Sequence, residues 1–240
     1  PFIAGFETAG EVIEVAPDVS NVAPGNRVMM SVRPGGFAEQ AVADASLLIP
    51  TPEPFDDVTA AAFRVAYFTA HHCLFQRGGL QSGEWVLVNG ATGGVGLAAV
   101  ELAKLHGAKI IGMGGDDGKL EVVSSYGADH VINYQRGEFR KEVKEITGGK
   151  GVNLVYDPVG GDIFDQSLRC MAWHGRLVSL GFTSGRIPEL PLNYALIKGL
   201  TIMGCRAGEA RRNDPEAGER ELTEILALAN AGKLHPYVSH

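Results

Sequence analysis

Leu87-Val88-Asn89-Gly90-Ala91-Thr92-Gly93-Gly94-Val95-Gly96 decides the fold of this chain. An apolar strand, Trp85–Asn89, runs into a glycine-rich turn, and a small-residue helix follows at once. Val95, Ala98, Ala99, Leu102 and Ala103 share one face of that helix. A strand that turns tightly into a helix leaves backbone N–H groups free at the helix N-terminus. Those groups and the helix dipole favour a bound phosphate. Glycine permits the turn and lets a pyrophosphate approach the backbone. The stretch points to a dinucleotide, and so to redox chemistry.

Downstream, short apolar strands alternate with amphipathic helices. The pattern predicts strands at Trp85–Asn89, Lys109–Met113, His130–Asn133, Val152–Asp157, Arg176–Leu180 and Leu200–Met203. Helices are predicted near Gly94–His106, Lys119–Tyr126, Glu138–Thr147 and Asp162–Met171, with a weak helical pattern in Thr183–Lys198. This alternation implies right-handed crossovers and a parallel, doubly wound α/β sheet of the Rossmann kind. A last helix opens with Asp214 as N-cap and Pro215 at its first position, buries Leu222, Ile225, Leu226 and Ala229, and stops at Gly232.

Upstream, residues 1–50 read as β-rich, with strands at Ala9–Ala16, Arg27–Val32 and Phe37–Val42. Turn signals at Pro17-Asp18, Pro24-Gly25-Asn26 and Pro34-Gly35-Gly36 separate them. Ile49-Pro50-Thr51-Pro52-Glu53-Pro54 reads as a connector, and Asp56–Phe75 as a helix. The expected organisation is a β-rich domain over 1–55, a nucleotide-binding domain over 56–232, and a return toward the first over 233–240.

The 240 residues suffice for one large or two moderate domains, and 45% hydrophobic with 20% charged residues is ordinary for a globular chain. A net charge of −7 argues against a nucleic-acid binder. No apolar run approaches bilayer length and no signal peptide is visible, so no membrane partner is expected. Cys73, Cys170 and Cys205 are odd in number and far apart in sequence, a poor disulfide framework with no zinc motif. A reducing, cytoplasmic location is expected. The chain opens on Pro1, and Phe2-Ile3-Ala4-Gly5-Phe6 already reads like the inside of a domain, as expected of a fragment.

Cofactor choice is set at the tip of the second strand, where an acidic residue binds a ribose 2′-OH and a cation accommodates a 2′-phosphate. The acidic position falls on Gly114, and Lys119 follows in the next turn, which favours NADPH. A register shift of two residues would instead bring Asp116 or Asp117 to a 2′-OH.

Gly83-Glu84-Trp85-Val86-Leu87-Val88, then Gly90 to Gly96, then Ala103-Lys104 and Gly107-Ala108, resemble the zinc-free quinone oxidoreductase (zeta-crystallin-like) branch of the medium-chain dehydrogenase/reductases. Further matches are Gly5-Phe6-Glu7 with Ala9-Gly10, Gly25-Asn26-Arg27-Val28, Gly35-Gly36-Phe37-Ala38-Glu39, Gly127-Ala128-Asp129 with Asn133-Tyr134, and Tyr156-Asp157-Pro158-Val159-Gly160-Gly161. Thr92 stands where a smaller residue is usual, and Glu101 where Gln is usual. The resemblance implies a GroES-like β-barrel, here partial, followed by the Rossmann domain. It implies that the barrel's first portion and the final return lie outside this chain. The zinc-dependent relatives carry Gly-His-Glu where this chain has Gly5-Phe6-Glu7, and a later cysteine ligand would fall near Val65. Neither Phe6 nor Val65 can bind a metal. His71-His72-Cys73 is not read as a metal site, because adjacent helical residues point in different directions.

By resemblance, Thr69 lies near the cofactor phosphates or ribose and Tyr134 flanks the adenosine. Gly181-Phe182 and Arg206 follow the fifth and sixth strands, at the carboxyl edge where ligands bind in open α/β sheets. The cofactor-binding set is therefore Thr69, Ala91, Thr92, Gly93, Gly94, Val95, Gly115, Lys119, Tyr134, Gly181, Phe182 and Arg206. No metal ligand and no catalytic side chain are nominated. Asp157, at the end of the fourth strand, suits the turn Pro158-Val159-Gly160-Gly161 better than catalysis. Arg211-Arg212 reads as a solvated pair before a helix cap.

With neither zinc nor an acid–base pair, the chemistry leans on the cofactor. Three functions fit: an NADPH-dependent quinone reductase, a reductase of 2-enoyl thioesters or enones, and a non-catalytic NADPH-binding or structural protein. Leu200–Met203 is an apolar sheet edge, and relatives pair through it, so a homodimer is expected.

Overall fold

A computed structural model describes residues 2–31 and 35–239. Val32 of the second expected strand, Pro34 of the third turn signal, and the two terminal residues lie outside the described residues. The contacts divide the chain into two compact units, one running to Phe68 and resuming at Leu222, the other Thr69–Glu221.

The first unit holds strands β1 (Glu7–Glu11), β2 (Arg27–Ser31) and β3 (Ile49–Pro50), in an antiparallel sheet ordered β1-β2-β3. Pro24-Gly25-Asn26 makes the turn before β2: Asn26 N donates to Ala23 O at 3.1 Å, and Gly25 takes a φ of +87° that glycine adopts without strain. Strand β1 ends at Glu11, five residues short of Ala16, and Ile13 beyond it is exposed. Residues 37–42 form no strand. Phe37 and Val42 are exposed, so their alternation has nothing to pack against. Ile49–Pro50, expected as connector, pairs with Val28 and Met29.

The predicted helix over 56–75 is broken into α1 (Asp57–Ala61), α2 (Arg64–His71) and a π-helical segment, His72–Arg77. Asp56 caps α1, its Oδ1 accepting from Thr59 N at 2.7 Å. Between α1 and α2, Phe63 is buried, with Phe55 and Tyr67 at ring distances of 5.0 and 4.9 Å.

The second unit is built on six parallel strands: β4 (Trp85–Val88), β5 (Lys109–Gly114), β6 (His130–Asn133), β7 (Val152–Asp157), β8 (Met171–Ser179) and β9 (Thr201–Gly204). Their order is β6-β5-β4-β7-β8-β9, so the chain reverses direction across the sheet between β4 and β7. That is the doubly wound arrangement the alternation predicts. Helices α3 (Gly94–Leu105), α4 (Asp117–Ser125), α5 (Arg140–Ile146) and α6 (Gly161–Cys170) connect the strands. One core cluster packs Leu87, Ile111, Met113, Val155 and Leu177 against Phe139, Val143, Phe164 and Leu168. Each such side chain stabilises the fold by about 1.5–3 kcal/mol.

Strand β8 starts five residues before Arg176, and the pairing register shifts between Val152 and Leu154. Only α7 (Asn193–Lys198) forms in the stretch 183–198. Helix α8 (Ala207–Asn213), unforeseen in the sequence, contains Arg211 and Arg212, which pair with Glu219 and Glu209. The pair therefore lies within a helix. Helix α9 (Pro215–Asn230) opens as expected, with Asp214 Oδ1 accepting from Ala217 N at 2.9 Å. Leu226 is half-buried, whereas Leu222, Ile225 and Ala229 are buried.

Around the π-helical segment residues meet that no local sequence pattern pairs, while His71-His72-Cys73 forms no metal-binding group among the described residues and the three cysteines are free thiols. His71, the last residue of α2, and His72, the first of the π-helical segment, both turn Nδ1 toward Glu221, at 3.4 and 2.9 Å. Cys73 and Cys205, far apart in sequence, meet with their sulfurs 2.8 Å apart.

Candidate functional site

Strand β4 delivers Asn89 to the carboxyl edge of the sheet, and Gly90 turns the chain there with a φ of +60°. Ala91 is buried and its N donates to Met113 O at 2.7 Å, tying the turn to β5. Helix α3 begins against that turn: a Cβ on Gly96 would stand 2.2 Å from Gly90 O, so only glycine fits. Gly93 occupies the N-cap and supplies no side-chain cap. The first-turn N–H groups thus face outward at the positive end of the helix dipole, which suits an anion.

Beside this turn lies a cavity of about 770 Å³. Gly90, Thr92, Gly93 and Val95 line one side, and Tyr134, Gln135, Gly137 and Glu138 a second. Pro158, Val159, Asp162, Ile163, Gln166, Thr183 and Ser184 complete it. The volume lies within the range of small-molecule and cofactor sites.

Asp157 is fully buried and organises the turn behind this wall. Its Oδ1 accepts from Asn89 Nδ2 at 2.9 Å, Val159 N at 3.1 Å and Gly160 N at 3.2 Å. Burial pushes its carboxyl up, and these three donors pull it back toward the charged form. The geometry is that of a turn anchor. The loop after β8 is laced to the same turn, Thr183 N donating to Pro158 O at 3.1 Å and Ser184 N to Val159 O at 3.0 Å.

The nominated residues divide. Thr92, Gly93, Val95 and Tyr134 line the cavity. Gly115 lies against Tyr134, since a Cβ there would meet the ring at 3.2 Å. Gly181 and Phe182 adjoin Thr183, and Phe182 packs over Gly160. Gly94 is exposed at the start of α3. Thr69, Lys119 and Arg206 fall outside the lining: Thr69 half-buried on α2, Lys119 exposed on α4, and Arg206 exposed at the start of α8 beside Glu209. The sequence reading missed Gln135, Glu138, Asp162, Ile163, Gln166 and Ser184. The rule that ligands sit at strand carboxyl ends could have pointed to most of them.

At the tip of β5, a Cβ on Gly114 would stand 2.5 Å from Thr92 Cγ2 and 3.1 Å from Leu120 Cδ2. No side chain, acidic or otherwise, fits there without displacement. The two carboxylates that follow are engaged. Asp116 caps α4, accepting from Lys119 N at 2.9 Å. Asp117 accepts from Asn133 Nδ2 and Arg136 Nη2, both at 2.7 Å, and these bonds hold its carboxyl below the ordinary range.

Phe6 and Val65 carry no donor atom for a metal, and among the described residues no group of three or more His, Cys, Asp or Glu side chains could hold a metal ion. No helix is long and apolar enough to cross a membrane among the described residues.

Comparison with known proteins gives two family matches: the alcohol dehydrogenase GroES-like domain over residues 1–53, and the zinc-binding dehydrogenase family over residues 94–224. The chain is 38% identical over 242 residues to the quinone oxidoreductase-like protein 2 homolog of Nematostella vectensis, matching all of this chain and 66% of the relative. The chain thus spans about two thirds of that relative's length. Its fold superposes on Escherichia coli quinone oxidoreductase complexed with NADPH, with a TM-score of 0.88 at 31% identity, over 98% of this chain and 73% of the other. It also superposes on the CurK enoyl reductase, with a TM-score of 0.87 at 26% identity, over 99% of this chain and 70% of the other. The chain belongs to the medium-chain dehydrogenase/reductase superfamily, in its quinone oxidoreductase branch.

Proposed function

We propose that this protein is a metal-independent reductase that draws hydride from NADPH and delivers it to a quinone-type acceptor. The observation that carries the reading is the glycine turn Gly90–Gly96 opening onto the cavity at the switch point between β4 and β7. The first turn of α3 receives the pyrophosphate, Tyr134 and Gly115 bound the adenosine end, and Lys119 meets the 2′-phosphate. Gly181, Phe182 and Arg206 frame the sheet edge, and Thr69 contributes from α2. NADPH, when bound, supplies the hydride. The protein holds it and excludes water.

The second reading is reduction of a 2-enoyl thioester or enone, favoured by the likeness to CurK enoyl reductase. NADPH oxidation with a quinone panel beside crotonyl-CoA separates them. Turnover of quinones supports the first reading, and turnover of the thioester alone overturns it. Tight NADPH binding without turnover on either class would point to a non-catalytic role.

We also infer a homodimer in a reducing, cytoplasmic setting. Strand β9 ends the sheet order, and an unpaired parallel edge invites a second copy. Light scattering at micromolar concentration should return twice the chain mass. A monomer there rejects the pairing.

A further inference from the structure

We propose that Cys73 and Cys205 form an oxidation site, a dithiol that a hydroperoxide converts to an intramolecular disulfide. Cys73 sits on the π-helical segment His72–Arg77, and Cys205 follows the last residue of β9. They are 132 positions apart, yet their sulfurs stand 2.8 Å apart. A disulfide needs a separation of about 2.05 Å, so the bond closes with under ~1 Å of movement. Both cysteines are free thiols in this structure. Arg77 reaches across the same junction, its Nη2 donating to Gly204 O at 3.4 Å, so the two segments are already held together.

The two sulfurs are not equivalent. Cys205 is 7% exposed and flanked by the exposed Gly204 and Arg206, whereas Cys73 is fully buried. The hydrogen bond from Cys73 and the positive field of His72 and Arg77 hold the Cys205 thiol below its ordinary range. The same hydrogen bond and burial push Cys73 up. Cys205 therefore attacks first. Its thiolate displaces hydroxide from hydrogen peroxide, forming a sulfenic acid as the O–O bond breaks. The Cys73 sulfur then attacks the Cys205 sulfur, the S–S bond forms, and hydroxide leaves to take up the Cys73 proton as water. Overall two thiols and one peroxide give one disulfide and two waters. The third thiol, Cys170, is buried on α6 and pushed up to about 11 by that burial, so it serves as an internal control.

The experiment exposes the whole reduced chain to a few equivalents of hydrogen peroxide. Thiol titration and peptide mapping after alkylation follow. The expected result is loss of two of the three thiols, a mapped Cys73–Cys205 disulfide within one chain, and full recovery in dithiothreitol. Cys73→Ser should leave a sulfenic acid at Cys205 that dimedone traps, and Cys205→Ser should leave Cys73 unmodified. The proposal is overturned if all three thiols survive a dose that oxidises free glutathione in the same tube. It is equally overturned if Cys205 proceeds to sulfinic acid while Cys73 stays alkylatable, or if the bond forms between two chains. These readouts on the unmutated chain need no turnover, so they are independent of the proposed reductase activity.

Discussion

Thr92 occupies the space that a side chain at position 114 would need: its Cγ2 lies 2.5 Å from where a Cβ on Gly114 would stand. The phosphate-binding turn and the tip of β5 are thus coupled by packing. Thr92 thereby leaves no room for an acidic side chain at 114 without displacement. Gly114→Asp should destabilise the second unit by about 1–3 kcal/mol through overpacking. Thr92→Ala should restore part of that loss. In the double variant, NADH binding should gain on NADPH by about tenfold, worth about 1.4 kcal/mol. Thermal unfolding and cofactor fluorescence titration measure both effects, and a Gly114→Asp protein as stable as the parent would remove the coupling.

Lys119 is exposed in the first turn of α4, while the neighbouring carboxylates serve as cap and as partner to Arg136. Lys119→Ala should weaken NADPH binding about three- to tenfold and leave NADH binding nearly unchanged, the scale of one solvent-exposed charged contact. Equal loss for both cofactors would show that Lys119 does not read the 2′-phosphate.

Asp157 anchors a turn. Asp157→Ala strips the acceptor from the buried Val159 N and Gly160 N and removes one of two acceptors from Asn89 Nδ2, which keeps Ser167 Oγ at 3.1 Å. Leaving such donors unpaired costs about 1–3 kcal/mol each before relaxation, so a total loss of about 2–4 kcal/mol is expected. Asp157→Asn, which keeps one carbonyl acceptor, should lose less. A variant that melts like the parent but no longer turns over would instead reveal a chemical role.

His72 and Glu221 form a buried pair at 2.9 Å, with His71 at 3.4 Å on the same carboxylate. The hydrogen bond to Glu221 lifts His72 above its ordinary range against the pull of burial. Burial works to raise Glu221, but the bonds from His71 and His72 outweigh it and hold the carboxyl below its range. The raised histidine contributes stability that is full below about pH 6.5 and is lost as pH rises through the higher folded value. The lowered carboxylate contributes stability that is full above its unfolded value and is lost as pH falls through the lower folded one. The melting temperature of the parent relative to His72→Gln should therefore shrink toward alkaline pH. Relative to Glu221→Gln it should shrink toward acid. A difference that is flat with pH would dismiss the pair as a contributor.

The sequence by itself determined the α/β alternation, the glycine turn and the family. Strands His130–Asn133 and Val152–Asp157 form over the predicted residues, and in Val152–Asp157 burial on both faces leaves a largely apolar run of Val152, Leu154, Val155 and Tyr156. Asp214 and Pro215 announced α9 because capping is a local hydrogen bond. Phe37–Val42 misled because alternation records a face without recording whether a partner exists to cover it. The tertiary structure alone decided what meets at a distance. Sheet order brought the turn at Gly90 beside Tyr134, Asp162 and Ser184, and packing made Thr92 the neighbour of Gly114. Packing brought two adjacent histidines, His71 and His72, to the single carboxylate of Glu221, and the winding of the sheet set Cys73 against Cys205. Local periodicity carries the first kind of information. The second depends on strand order and side-chain volume, which no short window of sequence contains.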